Sequence, residues 1–310
     1  MPVGIGAGGL MGIAFETTLG TYVAPTKFFP IISENFQIKQ EMSHRRVIRQ
    51  IAAPLGAVKG NSSVEAEVTL EVLPDVLPYF LHAGRTSVVK TGTGPWTYTV
   101  TGTAAANPTA SRSLSVTIVR NGVAFGYVGC IVGSHDFSIK DGVFQVSHKL
   151  VGMDEATQSV PTATWPTTVP FGMGSYTLKF NTVTDTGVQD VGVTIDDGAV
   201  AEFRLAGTAA AELVRFADNT TKASLTRDFL NRTEYDAYKA LTSQAFEMTA
   251  LNGSESVKIE LPKAIMETYE MGLSNPGDLV RAKIDYQAEY DATVTSNYRI
   301  TVVSTTENIT

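Results

Sequence analysis

The stretch "VEAEVTLEVLPDVLPYFL", residues 64–81, decides the fold. Its first nine residues alternate strictly. Val64, Ala66, Val68, Leu70 and Val72 are apolar, and Glu65, Glu67, Thr69 and Glu71 between them are polar. That period of two is the mark of a half-buried β-strand. The Pro-bounded apolar run from Pro74 to Leu81 then predicts a short helix packed on the strand. A weaker version of the same pair occurs later. Lys222 to Leu230 carries Ala223, Leu225 and Phe229 on one face and runs into a helix candidate at Arg232–Leu241.

Each pair is followed by strands and a long two-stranded element. In the first, Phe137 and Ile139 turn at Asp141-Gly142 into Phe144, Val146, His148 and Leu150. In the second, Tyr269 and Met271 turn at Pro276-Gly277 into Val280, Ala282, Ile284, Tyr286, Ala288 and Tyr290. A strand–helix–hairpin order used twice predicts a tandem duplication. The spacing of the copies differs, and Gly84–Arg112, rich in Gly, Thr, Ala and Pro, reads as a loop inserted in the first copy. Charged Arg227 falls where the first copy has Val68. The expected organisation is an N-terminal arm (1–27), a first β unit (28–155, with the insertion at 84–112), a linker (156–174) containing Pro161, Pro166 and Pro170, and a second β unit (175–310). The class is mainly β: two tandem β-sandwich or barrel-like units, each with one short flanking helix.

At 310 residues with 43% hydrophobic content, the chain can build a substantial core. Only 18% of residues are charged, which fits a subunit whose surface is largely covered by copies of itself. A net charge of −7 argues against a nucleic-acid binder, and the one basic cluster, His44-Arg45-Arg46 with Arg49, is too short to track a duplex. A single cysteine, Cys130, excludes an intramolecular disulfide. No Lys or Arg precedes the glycine-rich N-terminus, so no secretory signal is expected, and no run reaches the length of a membrane span.

Catalytic, cofactor and metal sites are not expected. There is no Gly-x-Ser-x-Gly elbow, His-Glu-x-x-His pair or Walker A loop. Gly4, Gly6, Gly8 and Gly9 follow no strand and open no helix, which rules against a dinucleotide loop. His44, His82, His135 and His148 are scattered; His148 lies on an apolar strand face and reads as a core histidine. Cys130, in an apolar run, reads as a small core residue. Asp196-Asp197-Gly198 reads as a hairpin turn rather than a calcium loop. The best-formed charged feature is the ladder Glu65, Glu67, Glu71, with Lys222 and Asp228 on the corresponding strand of the second copy. It is either a solvated outer face or the lining of a polar channel or subunit interface.

The order of segments resembles the tail tube proteins of siphophages. "GIAFETTLGTYVAPTKFFPIISENF" (Gly12–Phe36) resembles the family's opening, and "GAVKGNSSVEAEVTLEVLPDVLPYFLHAG" (Gly56–Gly84) its turn, strand and amphipathic helix. "GYVGCIVGSHDFSIKDGVFQVSHKLVGMDEA" (Gly126–Ala156) resembles its long hairpin, and "ELPKAIMETYEMGLSNPGDLVRAKIDYQAEYDA" (Glu260–Ala292) its C-terminal strand and final hairpin. The resemblance implies a structural virion protein, made in the host cytoplasm, that self-assembles into stacked rings. These form the hollow tube through which DNA passes at ejection. A single-unit subunit of that family closes as a hexamer, so a duplicated chain is expected to close as a trimer with pseudo-sixfold symmetry, a hexamer being the alternative. Tail tip, terminator and tape measure proteins are the implied partners, with DNA in the lumen held without sequence specificity and no membrane involved. Contacts between rings are expected from the arm (Gly6, Gly8, Gly9, Leu10) and the insertion (Trp96, Tyr98). A surface adhesin or carbohydrate-binding module, with Trp96 and Trp165 in loops, is the competing reading.

Overall fold

The computed structural model of the chain describes residues 8–46, 53, 56–102, 112–204, 209–273 and 279–309. Among the described residues the protein is mainly β, with two short helices. The first half runs β1 (Leu10–Phe15), β2 (Lys27–Phe29), β3 (Ser33–Glu34), β4 (Gln37–His44), β5 (Ala57–Glu71), α1 (Leu77–His82), β6 (Thr86–Thr91), β7 (Trp96–Gly102), β8 (Leu114–Arg120), β9 (Val123–Lys140), β10 (Val143–Gly152) and β11 (Asp154–Gln158). The second runs β12 (Tyr176–Phe180), β13 (Val183–Asp185), β14 (Val188–Asp196), β15 (Val200–Glu202), β16 (Leu213–Arg215), β17 (Thr220–Asp228), α2 (Thr233–Lys239), β18 (Gln244–Asn252), β19 (Glu255–Gly272), β20 (Arg281–Ala288) and β21 (Arg299–Ser304).

The pairing pattern of the first half recurs in the second. The antiparallel pairs β1–β2, β1–β8, β4–β5, β5–β10, β9–β10, β8–β9 and β9–β11 have as counterparts β12–β13, β12–β18, β14–β17, β17–β20, β19–β20, β18–β19 and β19–β21. Bulges fix the correspondence residue by residue. The β9–β10 ladder skips Gly133, and the β19–β20 ladder skips Glu267. A second irregularity sits where β8 meets β9 and where β18 meets β19, equally spaced from the first. Bulges insert an unpaired residue and bend the strand, so a shared position is a strong registration mark. His135 then corresponds to Tyr269, Phe137 to Met271, Glu65 to Lys222 and Glu71 to Asp228. Beyond the strands, Val72 N–H donates to Phe144 O at 2.9 Å and Phe229 N–H donates to Val280 O at 2.9 Å, a further matched pair.

The halves join through two ladders. Ser134–Ser138 of β9 pair with Gly192–Asp196 of β14, and β7 pairs with β21 from Trp96↔Ser304 to Thr101↔Arg299. The second ladder overturns the reading of 84–112 as a loop: β6 and β7 form a hairpin with Tyr98 and Val100 fully buried. Trp96-Thr97-Tyr98-Thr99-Val100-Thr101 alternates strictly, and threonine is at home on a pleated, half-buried surface. Burying side chains of this size contributes roughly 1.5–3 kcal/mol each.

Three further expectations need correction. Leu10–Phe15 is not part of an arm but a core strand with Met11 and Ile13 fully buried, and Glu16 behind it accepts from Ser113 Oγ at 2.7 Å and Gly129 N–H at 2.7 Å. Asp196–Gly198 turns the chain without making a hairpin, since β14 pairs with β9 and β17 while β15 pairs with β16. The expected linker 156–174 is not a free tether: its first residues belong to β11, and Phe171 is buried in the core. Asp141 and Gly142 both take positive φ (51° and 79°), as a two-residue hairpin turn requires. Pro276-Gly277 and Arg49 lie outside the described residues.

The helices differ. Leu77 to Leu81 of α1 are all buried, Phe80 stacking on His148 at 4.4 Å, whereas α2 buries none of its residues. Asn308 accounts for part of this: its carbonyl accepts from Tyr79 OH at 2.6 Å and its amide donates to Pro74 O at 3.0 Å, closing the C-terminus over α1.

Candidate functional site

Taken in order of hydrogen bonding, β4, β5, β10, β9, β14, β17, β20 and β19 make one continuous antiparallel ribbon of eight strands. Because side chains alternate along every strand, the ribbon has two opposite faces. One is core: Val64, Val68, Val146, Phe137, Val193, Ile195, Leu225 and Ile284 are buried on it. The other is polar from edge to edge, and all five charged residues singled out in the sequence stand on it: Glu65, Glu67 and Glu71 on β5, Lys222 and Asp228 on β17.

Four lysines on the polar face meet acids. Lys39 Nζ lies 2.8 Å from Glu65 and Lys222 Nζ 2.8 Å from Glu267, while Lys149 sits directly opposite Glu67 and Lys283 opposite Glu270. Neutral hydrogen bonds fill the gaps: Thr69 to Ser147 at 2.6 Å, Thr194 donating to Asp136 at 2.9 Å, and Thr268 donating to Asp285 at 2.7 Å. Exposed ion pairs of this kind add little to stability, because water screens them. Their consequence is electrostatic: Lys39, Lys149, Lys222 and Lys283 each face an acid, Lys140 stands without one among the described residues, and acids such as Glu71 and Asp196 are left over.

The ribbon ends in two open edges. Among the described residues β4 pairs only with β5, and residues 268–272 of β19 pair only with β20. An unpaired edge offers a row of free N–H and C=O groups to another strand. Sequence reasoning did not find these edges, because openness follows from the sheet order and not from local pattern.

Buried polar groups mark the junction between halves. Asp197 donates its N–H to Gly133 O at 2.7 Å, and its carboxylate accepts from Arg85 N–H at 3.1 Å and from Asn219. Arg85 in turn bonds Ala217 O. Burial pushes the Asp197 carboxyl up to about 6. Next to it, His135 and His148, which the sequence leaves scattered, face each other across β9 and β10 with their Nδ1 atoms 2.9 Å apart, one ring donating and the other accepting. Burial holds His135 down at about 3 and His148 well below the usual imidazole range, so both rings are neutral. Cys130 is fully buried and its thiol is pushed far up by burial. No cluster of metal-ligating groups occurs among the described residues, and no described helix is long and apolar enough to cross a membrane.

The residues expected to meet a neighbouring ring are dispersed. Gly6 lies outside the described residues. Gly8 and Gly9 are exposed ahead of β1, and Leu10 is half-buried opposite Val119. Trp96 is half-buried opposite Ser304, and Trp165 lines an apolar groove with Met11, Phe29 and Ile118. Tyr98 is the clear correction: it is fully buried inside the chain, its hydroxyl accepting from Asn308 N–H at 2.7 Å, and it cannot contact another ring.

No curated protein matches this sequence. The family described as phage tail tube protein matches it over residues 6–299. With nearly the whole length covered and a mainly β architecture, the chain belongs to the phage tail tube protein family, structural proteins of the virion tail.

Proposed function

We propose that this protein forms stacked rings of three chains, pseudo-sixfold in symmetry, whose common channel passes DNA at ejection. The observation that carries the reading is the β9–β14 ladder. It joins two halves of matching topology, and each half leaves open the edge that the other half uses at that junction. Counterparts of β14 residues 192–196 are residues 35–39, in and just before β4; counterparts of β9 residues 134–138 are residues 268–272 of β19. Repeating the internal junction between chains pairs β4 of one with β19 of the next and leaves no edge open once the circle closes.

Geometry favours three chains. Eight ribbon strands from each give a 24-strand barrel. At about 4.8 Å between strands and a tilt of about 35–45°, its radius is about 22–26 Å. That leaves room for a double helix inside the side chains, whereas six chains would double the radius. The polar face then lines the lumen. DNA carries one negative charge per about 1.7 Å of axis, and a wall whose lysines mostly face acids offers it few phosphate contacts. Tail tip, terminator and tape measure proteins complete the assembly, which takes place in the host cytoplasm. The deciding experiment is native mass spectrometry and electron microscopy of assembled protein. Rings of three 33.2 kDa chains, about 100 kDa, support the reading; rings of six overturn the trimer, and a persistent monomer overturns the tube.

A further inference from the structure

The chain that leads into β12 crosses onto the first half and closes the tip of its long hairpin. Phe171 is fully buried there. Its carbonyl accepts from Phe144 N–H at 3.4 Å and from Tyr176 OH at 2.7 Å, and its ring centroid lies 6.4 Å from that of Phe144. Met173 lies so close over the turn that a Cβ on Gly142 would come within 2.5 Å of it. Under this cover Phe137, Phe144 and Leu73 are all shielded from solvent.

The matching tip in the second half has no such cover among the described residues. The counterparts of Leu73, Phe137, Ile139 and Val143 are Leu230, Met271, Leu273 and Leu279, and these are 73%, 47%, 84% and 67% exposed. Four large apolar side chains at one hairpin end are more than scattered surface residues and mark a contact. What covers the first tip is the segment before β12, and the counterpart of β12 is β1. The segment before β1 is Met1–Gly9, "MPVGIGAGG", which brings Val3 and Ile5 to either side of the position matching Phe171. Nine extended residues reach at most about 30 Å.

We propose that the N-terminal segment of one copy of this chain closes the β19–β20 tip of its neighbour, as the segment before β12 closes the β9–β10 tip within the chain. This rests on the ring reading, since in a ring each first half follows a second half of the preceding copy. The N-terminus is thereby a clasp within the ring and not a contact between rings.

The test places the photocrosslinker p-benzoylphenylalanine at position 273 of the full-length chain and co-assembles it with isotope-labelled wild-type protein. Irradiated rings are digested and the captured peptide is identified by mass. Capture of the labelled N-terminal peptide, residues 1–12, is the expected result. Assembled rings in which position 273 captures its own chain or any other peptide overturn the clasp but leave the tube reading standing. Protein that never forms rings overturns the reading beneath it. A second arm needs no crosslinker: removing residues 2–8, or making Leu273→Ser, lowers the ring fraction at a fixed concentration by at least about tenfold. The combination falls no further, because both changes break one contact. Undiminished ring formation by the truncated chain, with its fold verified by circular dichroism, also overturns the clasp.

Discussion

Placing one cysteine on each open edge tests the sheet closure at single-residue resolution. Asp196 faces Ser134 in the internal ladder, and their counterparts are Lys39 and Thr268. If the junction between chains copies the one within, Lys39→Cys and Thr268→Cys face each other across the seam with Cα atoms about 4.5–5.5 Å apart. A disulfide needs about 4.4–6.8 Å. A slip to the diagonal neighbour, as in Lys39→Cys with Glu270→Cys, moves the pair to roughly 7–8 Å, outside that range. Both positions lie on the polar face, so neither change disturbs the core, and fully buried Cys130 does not compete. Mild oxidation of assembled protein followed by non-reducing electrophoresis should give linked dimers and trimers for the 39/268 pair and nothing larger. The 39/270 pair should stay monomeric. Rungs up to six would refute the trimer. Equal linkage by both pairs, or by neither in intact tubes, would refute the register on which the argument rests.

Three other outcomes are expected. Phe171→Ala removes a fully buried ring from the interface of the halves and should cost about 3–5 kcal/mol in urea unfolding of the monomer; a loss under 1 kcal/mol would mean the 159–175 segment is not part of the core. Replacing Glu65, Glu67 and Glu71 together by Lys should change monomer stability little but create DNA binding that weakens steeply between 50 and 200 mM salt; fluorescence anisotropy would count against the lumen assignment if wild-type protein bound equally well. Acid should destabilise the fold between pH 7 and 5. Unfolded histidines take protons near 6.5 that buried His135 and His148 cannot, giving a loss of up to about 2.7 kcal/mol per pH unit. Asp197 works against this, because a carboxyl raised to about 6 in the folded state takes its proton there first and gains stability as pH falls below 6. Chemical denaturation across that range should show the loss, steepened by Asp197→Asn; a flat profile would refute the neutral histidine pair.

Much of the architecture was legible because it is written in local periodicity. The alternation from Val64 to Val72 and the Asp141-Gly142 turn specify strand and hairpin without reference to anything distant. The hairpin at 86–102 was misread because composition outweighed pattern: a Thr- and Gly-rich segment looks like a loop until the alternation of Tyr98 and Val100 is weighed. Its partner β21 lies some 200 residues away, and nothing local announces that ladder. The same holds for the His135–His148 pair, which exists only because β9 and β10 place those residues opposite each other. Charged positions on β5 and β17 could be assigned to a common face, since parity along a strand survives small errors in alignment. Which edges stay open could not be read, because that depends on the order of all eight strands.

The β7–β21 ladder has a consequence for how the protein is made. Residues 96–101 leave the ribosome about 200 residues ahead of their partners at 299–304. Tyr98 and Tyr79 wait likewise for Asn308. The first half therefore cannot complete its structure until the second has been made, and a fold so dependent on contacts between distant residues is slow to form. If the proposed ring forms, that delay acts as a safeguard. A nascent first half therefore carries no finished surface until the second half has followed it.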